Sequence, residues 1–425
     1  MRILVLTNLY PPHHYGGYEI NCEEAVSFFR DEGHDVLVVT SDTVVAGVER
    51  APESRDDVRR ELRMYWADQQ MLRPSLRESL AIERTNQAAL DRAVADHHPD
   101  VVSAWHMGAL SMGLLTSCRR RGIPLVHVIN DDWLTYGPEV DRWWRFCRRA
   151  RIGGILEPLL KVPCRPSNLG SGGAFCFISE TTRRVAETAG SWRFPVATVG
   201  YCGVNIDDFP IGSQPARTSW SGRLLYVGRI DRRKGIDTAI RALPRLPDDV
   251  TLDVVGRGDD THVTELRGMA SGLGVSGRVS FRTAERAELA ATYGTADALL
   301  FLPRWDEPFG LVALEAMACS TPVIATGTGG SGEFLIDEAN CLRVPVDDAE
   351  GVAAAVRRLA TDARLRARLV AGGLATAEEL TLPRWTELLE AWHVAAACRY
   401  ADGQPTDRAR IDKVLAARLT TTTGQ

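Results

Sequence analysis

Apolar positions in this chain fall into short runs separated by longer amphipathic stretches, and the same rhythm occurs twice. Ile3 to Leu6 is a run of buried-strand type, and a loop rich in Pro, His and Gly follows from Tyr10 to Gly17. Tyr18 to Arg30 then carries Ile20, Ala25, Val26, Phe28 and Phe29 at roughly helical spacing. Gly33 punctuates its end, and Val36 to Val39 forms the next strand, so the first 45 residues hold one βαβ unit. An arginine-rich stretch from about Val58 to Ala95 reads as mostly helical and leads through Pro99 into the strand Val101–Ala104. Ile123 to Ile129 is a further strand, followed by the acidic-aromatic segment Asn130–Trp144 and a basic, Pro/Gly-broken insert reaching Gly173. Ala174–Ile178 and Val196–Val199 complete the first half.

The alternation restarts after Asp207–Gln214. Arg223–Val227, Thr251–Val255, Arg278–Phe281, Ala298–Leu302 and Pro322–Ala325 are short strands separated by helical segments. Alternation of this kind predicts parallel sheets covered by helices on both faces. The expected fold is therefore α/β, with two doubly wound, Rossmann-like domains facing a cleft, because ligands bind at the carboxyl ends of such strands. The expected boundaries are 1–205, 206–384 and a terminal helix 385–400. Residues 401–425 form a polar tail ending Thr-Thr-Thr-Thr-Gly-Gln and are expected to fray.

Composition narrows the function classes. A length of 425 residues exceeds one ordinary core, and 45% hydrophobic with 25% charged residues describes a soluble globular protein. A net charge of −5 gives no nucleic-acid footprint. The basic residues are 47 Arg and 3 Lys, which suggests a GC-rich bacterial gene and makes Lys161, Lys234 and Lys413 conspicuous. Nine cysteines lack any Cys-x-x-Cys spacing, so neither a zinc site nor a disulfide framework is expected, and most of them read as core thiols of a reducing cytosol. No run approaches a membrane span of about 18 apolar residues, and the opening Met-Arg-Ile-Leu-Val-Leu-Thr is a strand, not a signal peptide. A cytoplasmic location is expected.

The chemistry concentrates in Arg304-Trp-Asp-Glu-Pro-Phe-Gly-Leu-Val-Ala-Leu-Glu-Ala-Met-Ala318. Glu307 and Glu315 stand eight positions apart, and a Pro-Phe-Gly turn between them opens an apolar helix, Leu311 to Ala318. A charge inside such a helix is costly unless solvated or paired. The helix start leaves the amides of Phe309, Gly310 and Leu311 as an anion site, and Pro308 suits that start. Acids on either side of a phosphate cradle suit a sugar nucleotide. The bare pair also fits a water-facing Glu315 and a loop acid Glu307.

Gly228-Arg229-Ile-Asp-Arg-Arg-Lys234-Gly235 follows a strand directly. Its guanidinium fork and point charge suit a leaving diphosphate, while Arg232 and Arg233 read as a solvated basic turn. Gly16 and Gly17 allow close backbone approach and positive φ at the mouth of the first domain, or simply a turn. Asp131, Asp132 and Trp133 end a strand and could hold a hydroxylated acceptor, or cap a helix beside a packed Trp. Between Arg142 and Arg165 lie seven basic residues, with Trp143, Trp144 and Ile155–Leu160 among them. That insert either contacts an anionic membrane surface weakly, clamps a phosphorylated acceptor, or is a solvated face.

Taken together, these residues resemble the retaining GT-B glycosyltransferases of family 4, from Met1 to about Trp392. Gly16-Gly17, Gly228-Arg229 with Lys234-Gly235, the Glu307/Glu315 motif and Thr321–Gly330 fall in the family's order. The resemblance implies that Trp385 to Cys398 crosses back onto the first domain. It implies that Arg229 and Lys234 hold the diphosphate, that Glu307 contacts the donor sugar and Glu315 the ribose. Phe309, Gly310 and Leu311 would act through their amides, with Gly16, Gly17 and Gly228 also on the donor. His106 lies where many members carry a cleft histidine near the sugar, although a lone histidine is often structural.

The implied reaction moves a hexose from a nucleotide-diphosphate sugar, UDP favoured over GDP, to a small-molecule or glycan hydroxyl, with retention. The leaving phosphate would help remove the acceptor proton. The absence of an Asp-x-Asp triplet argues for no metal, and no cofactor is expected. Three other readings remain. An epimerase would turn over donor without acceptor. A dinucleotide-dependent oxidoreductase would need a Gly-x-Gly-x-x-Gly where Tyr-Pro-Pro-His-His-Tyr-Gly-Gly stands. A non-catalytic sugar-nucleotide-binding protein would leave the donor intact.

Overall fold

The computed structural model describes residues 1–401 except 46–47, 49–56, 68–69, 151–152, 166–167, 191 and 218. The polar tail beyond 401, with Lys413, lies outside the described residues, as does Arg151 in the basic insert. The chain divides into two compact units, Met1–Gly200 together with the stretch that begins at Thr386, and Tyr201–Trp385.

The first unit is built on seven parallel strands. In chain order they are β1 (Arg2–Leu6), β2 (Asp35–Ser41) and β3 (Val58–Leu62), then, after a short antiparallel hairpin of β4 (Trp66–Ala67) and β5 (Gln70–Met71), β6 (Val101–Ala104), β7 (Leu125–Ile129), β8 (Ala174–Phe177) and β9 (Ala197–Val199). Their order across the sheet is β3-β2-β1-β6-β7-β8-β9. Leu4 pairs with Leu37 on one side and Val102 on the other, so β1 is buried on both edges and both faces. That is why its apolar residues run without alternation.

The second unit repeats the plan with β10 (Arg223–Val227), β11 (Thr251–Val255), β12 (Val279–Arg282), β13 (Ala298–Phe301), β14 (Val323–Ala325) and β15 (Leu342–Arg343), ordered β12-β11-β10-β13-β14-β15. Each unit has its own apolar cluster, one around Leu4, Leu90 and Phe175, the other around Leu224, Ile240 and Leu300. In each sheet the order reverses beside the first strand, between β1 and β6 and between β10 and β13. Loops diverge at such a point and open a crevice at the carboxyl edge.

Three elements depart from the sequence expectation. The stretch expected to be mostly helical from Val58 begins with β3 and the hairpin, and its helix runs Leu76–His97. β3 is an edge strand whose three central residues, Arg59, Arg60 and Glu61, are only half-buried, so its apolar signal is weak. Second, β15 has two residues, too few for a periodic signal. Third, a disulfide joins Cys147 to Cys164, with 5.1 Å between Cα atoms, where the spacing of the cysteines indicates no disulfide framework. The Arg142–Ala150 helix folds back on Val162 and Cys164 to build a small cluster with Trp143, a proximity that no local spacing signals. The other cysteines are thiols, buried except Cys398.

The helix Leu382–Ala401 starts in the second unit and ends packed on the first. Glu390, 2% exposed, lies 2.9 Å from His34 Nε2, and His393 packs against Phe29 with ring centroids 5.0 Å apart.

Candidate active site

In the second unit, β10 ends in Gly228, whose φ of 132° lies in the region that favours glycine. The turn beyond it is organised by Asp231, which accepts from the Arg233 amide at 2.9 Å and pairs with the guanidinium groups of Arg233 and Arg229 at 3.0 and 3.5 Å. Burial pushes this carboxyl up, but the Arg233 hydrogen bonds and the Arg229 charge outweigh it and hold the group at about 2. Gly235 ends the turn at φ 72°, and a Cβ there would stand 2.1 Å from the Leu302 carbonyl, so the turn seats directly against the end of β13.

That seat brings Lys234 to the acidic motif. Its Nζ donates to both Glu307 oxygens, at 2.9 and 2.7 Å, and Trp305 Nε1 donates to Oε2 at 2.8 Å. The Glu307 main chain is fixed from the other side. Gly330 N donates to its carbonyl at 2.7 Å, and Gly329, at φ 61°, lies so close that a Cβ would stand 2.6 Å from Glu307 N. The phenol of Tyr226 is raised above its ordinary range by burial first, then by the charges of Glu307 and Asp231, with Arg229 opposing. These three charges therefore all act on one phenol.

Gly310 caps the helix Leu311–Ala318 at φ 110°, and a Cβ on it would meet the Phe301 ring at 2.8 Å. The first turn leaves amides with no intrahelical partner, an anion-binding end within a few residues of Glu307. Phe309 is 2% exposed, between Tyr201 and Phe334, so only its main chain is offered to a ligand. Leu311 is half-buried. Glu315 neither faces water freely nor lies in the core. It is half-buried and accepts from the Tyr293 hydroxyl at 2.7 Å. Burial raises its carboxyl above the ordinary range, against the pull of Tyr293 and Arg286.

Arg304 and Trp305 stand at the head of the acidic stretch, but their roles were not legible there. Arg304 donates to the Arg232 carbonyl and Thr238 Oγ1, each at 3.1 Å, and pairs with Asp237 and Asp347. It thereby clamps the basic turn to the β13 loop.

In the first unit, the residues after β1, β6 and β7 converge. The Gly16 amide donates to Glu19 Oε2 at 3.1 Å, and Glu19 Oε1 lies 3.4 Å from His106 Nδ1. His106 Nε2 lies 2.8 Å from the Tyr136 hydroxyl and 3.2 Å from Asp131 Oδ2, and Tyr18 stacks on the ring at 4.8 Å. Burial alone would lower this imidazole, but Asp131 and then Glu19 outweigh it and hold the group up at about 10. His106 is therefore an imidazolium at neutral pH. It is a fixed positive charge, and it has no lone pair with which to take a proton.

Two expectations for this unit are corrected. Gly16 and Gly17 are not at positive φ. Gly16 is extended, at φ −167°, with nothing within 4 Å of a Cβ, and Gly17 begins the helix Gly17–Asp31. Trp133 is fully buried in the first core, so no face of its ring is left for an acceptor. Asp131 instead accepts from the Trp133 amide at 3.1 Å and the Tyr136 hydroxyl at 3.1 Å, while Asp132 is exposed. Sequence reasoning missed Glu19, Tyr18, Tyr136 and Asn130. Asn130 is 7% exposed at the end of β7, and neither its Oδ1 nor its Nδ2 has a partner among the described residues. A Glu three residues after Gly16 was the one local signal available, as a helix-start pattern.

Comparison with known proteins gives the family and the fold. Residues 218–374 match the model of glycosyl transferases group 1, and residues 15–207 that of glycosyltransferase family 4. The D-inositol 3-phosphate glycosyltransferase of Geodermatophilus obscurus is 32% identical over 339 residues, 73% of this chain and 70% of that protein. The enzyme of the same name from Xylanimonas cellulosilytica is 39% identical over 188 residues, 41% of this chain and 45% of that one, so the chain spans under half of that relative. Sucrose-phosphate synthase from Thermosynechococcus elongatus superposes with a TM-score of 0.68 at 21% identity, covering 92% of this chain and 97% of that one, which shows a shared fold. With two Rossmann-like units, a basic turn clamped on an acidic motif and both family models matched in order, the chain belongs to the group 1, family 4 glycosyltransferases of GT-B type.

Proposed function

We propose that the protein transfers a hexose from a nucleotide-diphosphate sugar, with UDP-sugars the first candidates, to an acceptor hydroxyl with retention at the anomeric carbon. The observation that carries this reading is the Lys234–Glu307 pair at the switch point of the second sheet, beside the capped start of the Leu311–Ala318 helix. Lys234 and Arg229 stabilise the charge that grows on the departing diphosphate, together with the helix amides. Such preorganised stabilisation is usually the largest catalytic contribution. Glu307 and Glu315 accept from sugar and ribose hydroxyls.

The bond from the anomeric carbon to the phosphate oxygen breaks, and its electron pair leaves with the diphosphate. The acceptor oxygen bonds to the same face, and its proton passes to the departing phosphate oxygen. The protein's part is positioning and charge, and no metal ion is required. His106, as a fixed cation between Glu19 and Asp131, orders the acceptor side and is not the base. The names of the inositol-phosphate relatives support a polyol hydroxyl as acceptor.

The test is incubation with a panel of nucleotide sugars and polyol acceptors in the presence of a chelator, with the product's anomeric configuration read by NMR. Glycoside of the donor's own configuration, formed at an undiminished rate, is expected. Inverted product, or turnover that stops with the chelator, contradicts the reading. Conversion of donor without acceptor would favour an epimerase.

A further inference from the structure

Trp305 stands between the basic turn and the acidic motif of the second unit, and it meets both. Its Nε1 donates to Glu307 Oε2 at 2.8 Å. The Arg233 guanidinium lies over its ring, with 4.5 Å from Cζ to the ring centroid, and Lys234 Nζ is 5.7 Å from the same centroid. Arg233 is itself held there, donating from Nε and Nη2 to the two oxygens of Asp231 at 3.1 and 3.0 Å. Thr328 Oγ1 donates to the Trp305 carbonyl at 2.7 Å, which fixes the main chain. The half-buried indole is thus anchored by contacts that involve neither Lys234 nor Glu307.

The Lys234–Glu307 pair is saturated. An ammonium has three N–H groups, and Lys234 bonds to both oxygens of one carboxylate, at 2.9 and 2.7 Å. A lysine so engaged has little left for a diphosphate, so the two acceptors compete for it. Once Lys234 turned to a diphosphate, Glu307, 9% exposed, would be a buried carboxylate stripped of its counter-charge. Such a state is costly unless another donor remains. The indole N–H is that donor. It can only donate, it is bonded to Oε2, and its ring is kept from following the lysine by Arg233 and Thr328. With Oε2 kept by Trp305, Oε1 is released for a sugar hydroxyl as Lys234 departs.

We propose that Trp305 is a positioning residue of donor binding: its indole N–H keeps the Glu307 carboxylate in place while Lys234 passes from Glu307 to the diphosphate. The Lys234–Glu307 pair is then the resting form of the site, and Trp305 lowers the cost of opening it. This rests on the transfer reading and adds to it the residue that lets one lysine serve two acceptors in turn.

The test is titration of the full chain with UDP, and with GDP where UDP does not bind. It is followed by calorimetry and by the NMR signal of the Trp305 indole N–H, identified by its absence from Trp305→Phe. That substitution keeps an aromatic ring beside Arg233 and removes the donor. It should weaken nucleotide binding roughly tenfold. In a Glu307→Gln background, where no carboxylate has to be left unpaired, the same change should cost less than about twofold. A ring that only packs would cost the same in both backgrounds. In wild type the Trp305 signal should keep its hydrogen-bonded position up to saturation with nucleotide, a result that does not depend on how stable the variants are. Equal losses in the two backgrounds overturn the proposal, as does a signal that moves to the free-indole position when nucleotide binds. Either result leaves the transfer reading intact, because the nucleotide has bound. A wild type that binds neither UDP nor GDP overturns both.

Discussion

Lys234 donates to Glu307 with two hydrogen bonds, and Glu307 keeps the Trp305 indole N–H when the lysine is removed. Lys234→Ala should therefore lower kcat by roughly 10²–10³ with little change in melting temperature; wild-type turnover in that variant contradicts the assignment. His106 makes the opposite kind of prediction. Its folded pKa of about 10 lies above the ordinary 6.5, so its contribution to stability is complete below about 6.5 and is lost as pH rises through about 10. The stability gap between wild type and His106→Gln, measured by chemical denaturation, should shrink across that window, and a constant gap would show that no pinned imidazolium exists. The Asn130 side chain has no hydrogen-bond partner among the described residues, and an unpaired buried amide costs about 1–3 kcal/mol. Asn130→Leu should raise the melting temperature while lowering transfer, the pattern of a residue kept for function. Lys234 and Glu307 were legible in the sequence because each sits in a dense local motif. Trp133, Glu19 and Asn130 were not, because their burial and partners depend on which loops the sheet brings together.

At the scale of elements, the site depends on turns that fit closely. Gly235 needs both a left-handed φ and the absence of a Cβ, which would stand 2.1 Å from Leu302 O. Gly235→Ala should destabilise the second unit by about 1–3 kcal/mol and weaken donor binding, whereas Gly16→Ala, extended and with open space around it, should be nearly neutral. Equal losses at the two positions, read from denaturation midpoints, would contradict this. The Leu311–Ala318 helix was legible to its ends because it is apolar throughout and opened by Pro-Phe-Gly. β3 was hidden by the charges of an edge strand, and the Cys147–Cys164 bond by a separation of 17 residues. The terminal helix supplies Trp392 and Glu390, 1% and 2% exposed, to the first unit. Ending the chain at Trp385 should bare the surface around Phe29 and lower that unit's unfolding temperature.

For the whole molecule, two separate cores predict two cooperative transitions in a calorimetric scan, since multidomain chains rarely unfold in one step. The strand-helix alternation made this double plan readable, because a parallel sheet needs an apolar run for each central strand and a helix for each crossover. Nucleotide sugar should raise one transition only, by about 2.7 kcal/mol at a hundred times its Kd. Transfer by this protein requires above all the grip of Arg229, Lys234 and the helix amides on a diphosphate. Isothermal titration of UDP, UMP and uridine into wild type and the Arg229→Ala/Lys234→Ala double variant tests that grip directly. Wild type should bind UDP far more tightly than uridine, and the double variant should bind the two about equally, with uridine affinity unchanged. A double variant that holds UDP as tightly as wild type would contradict the account.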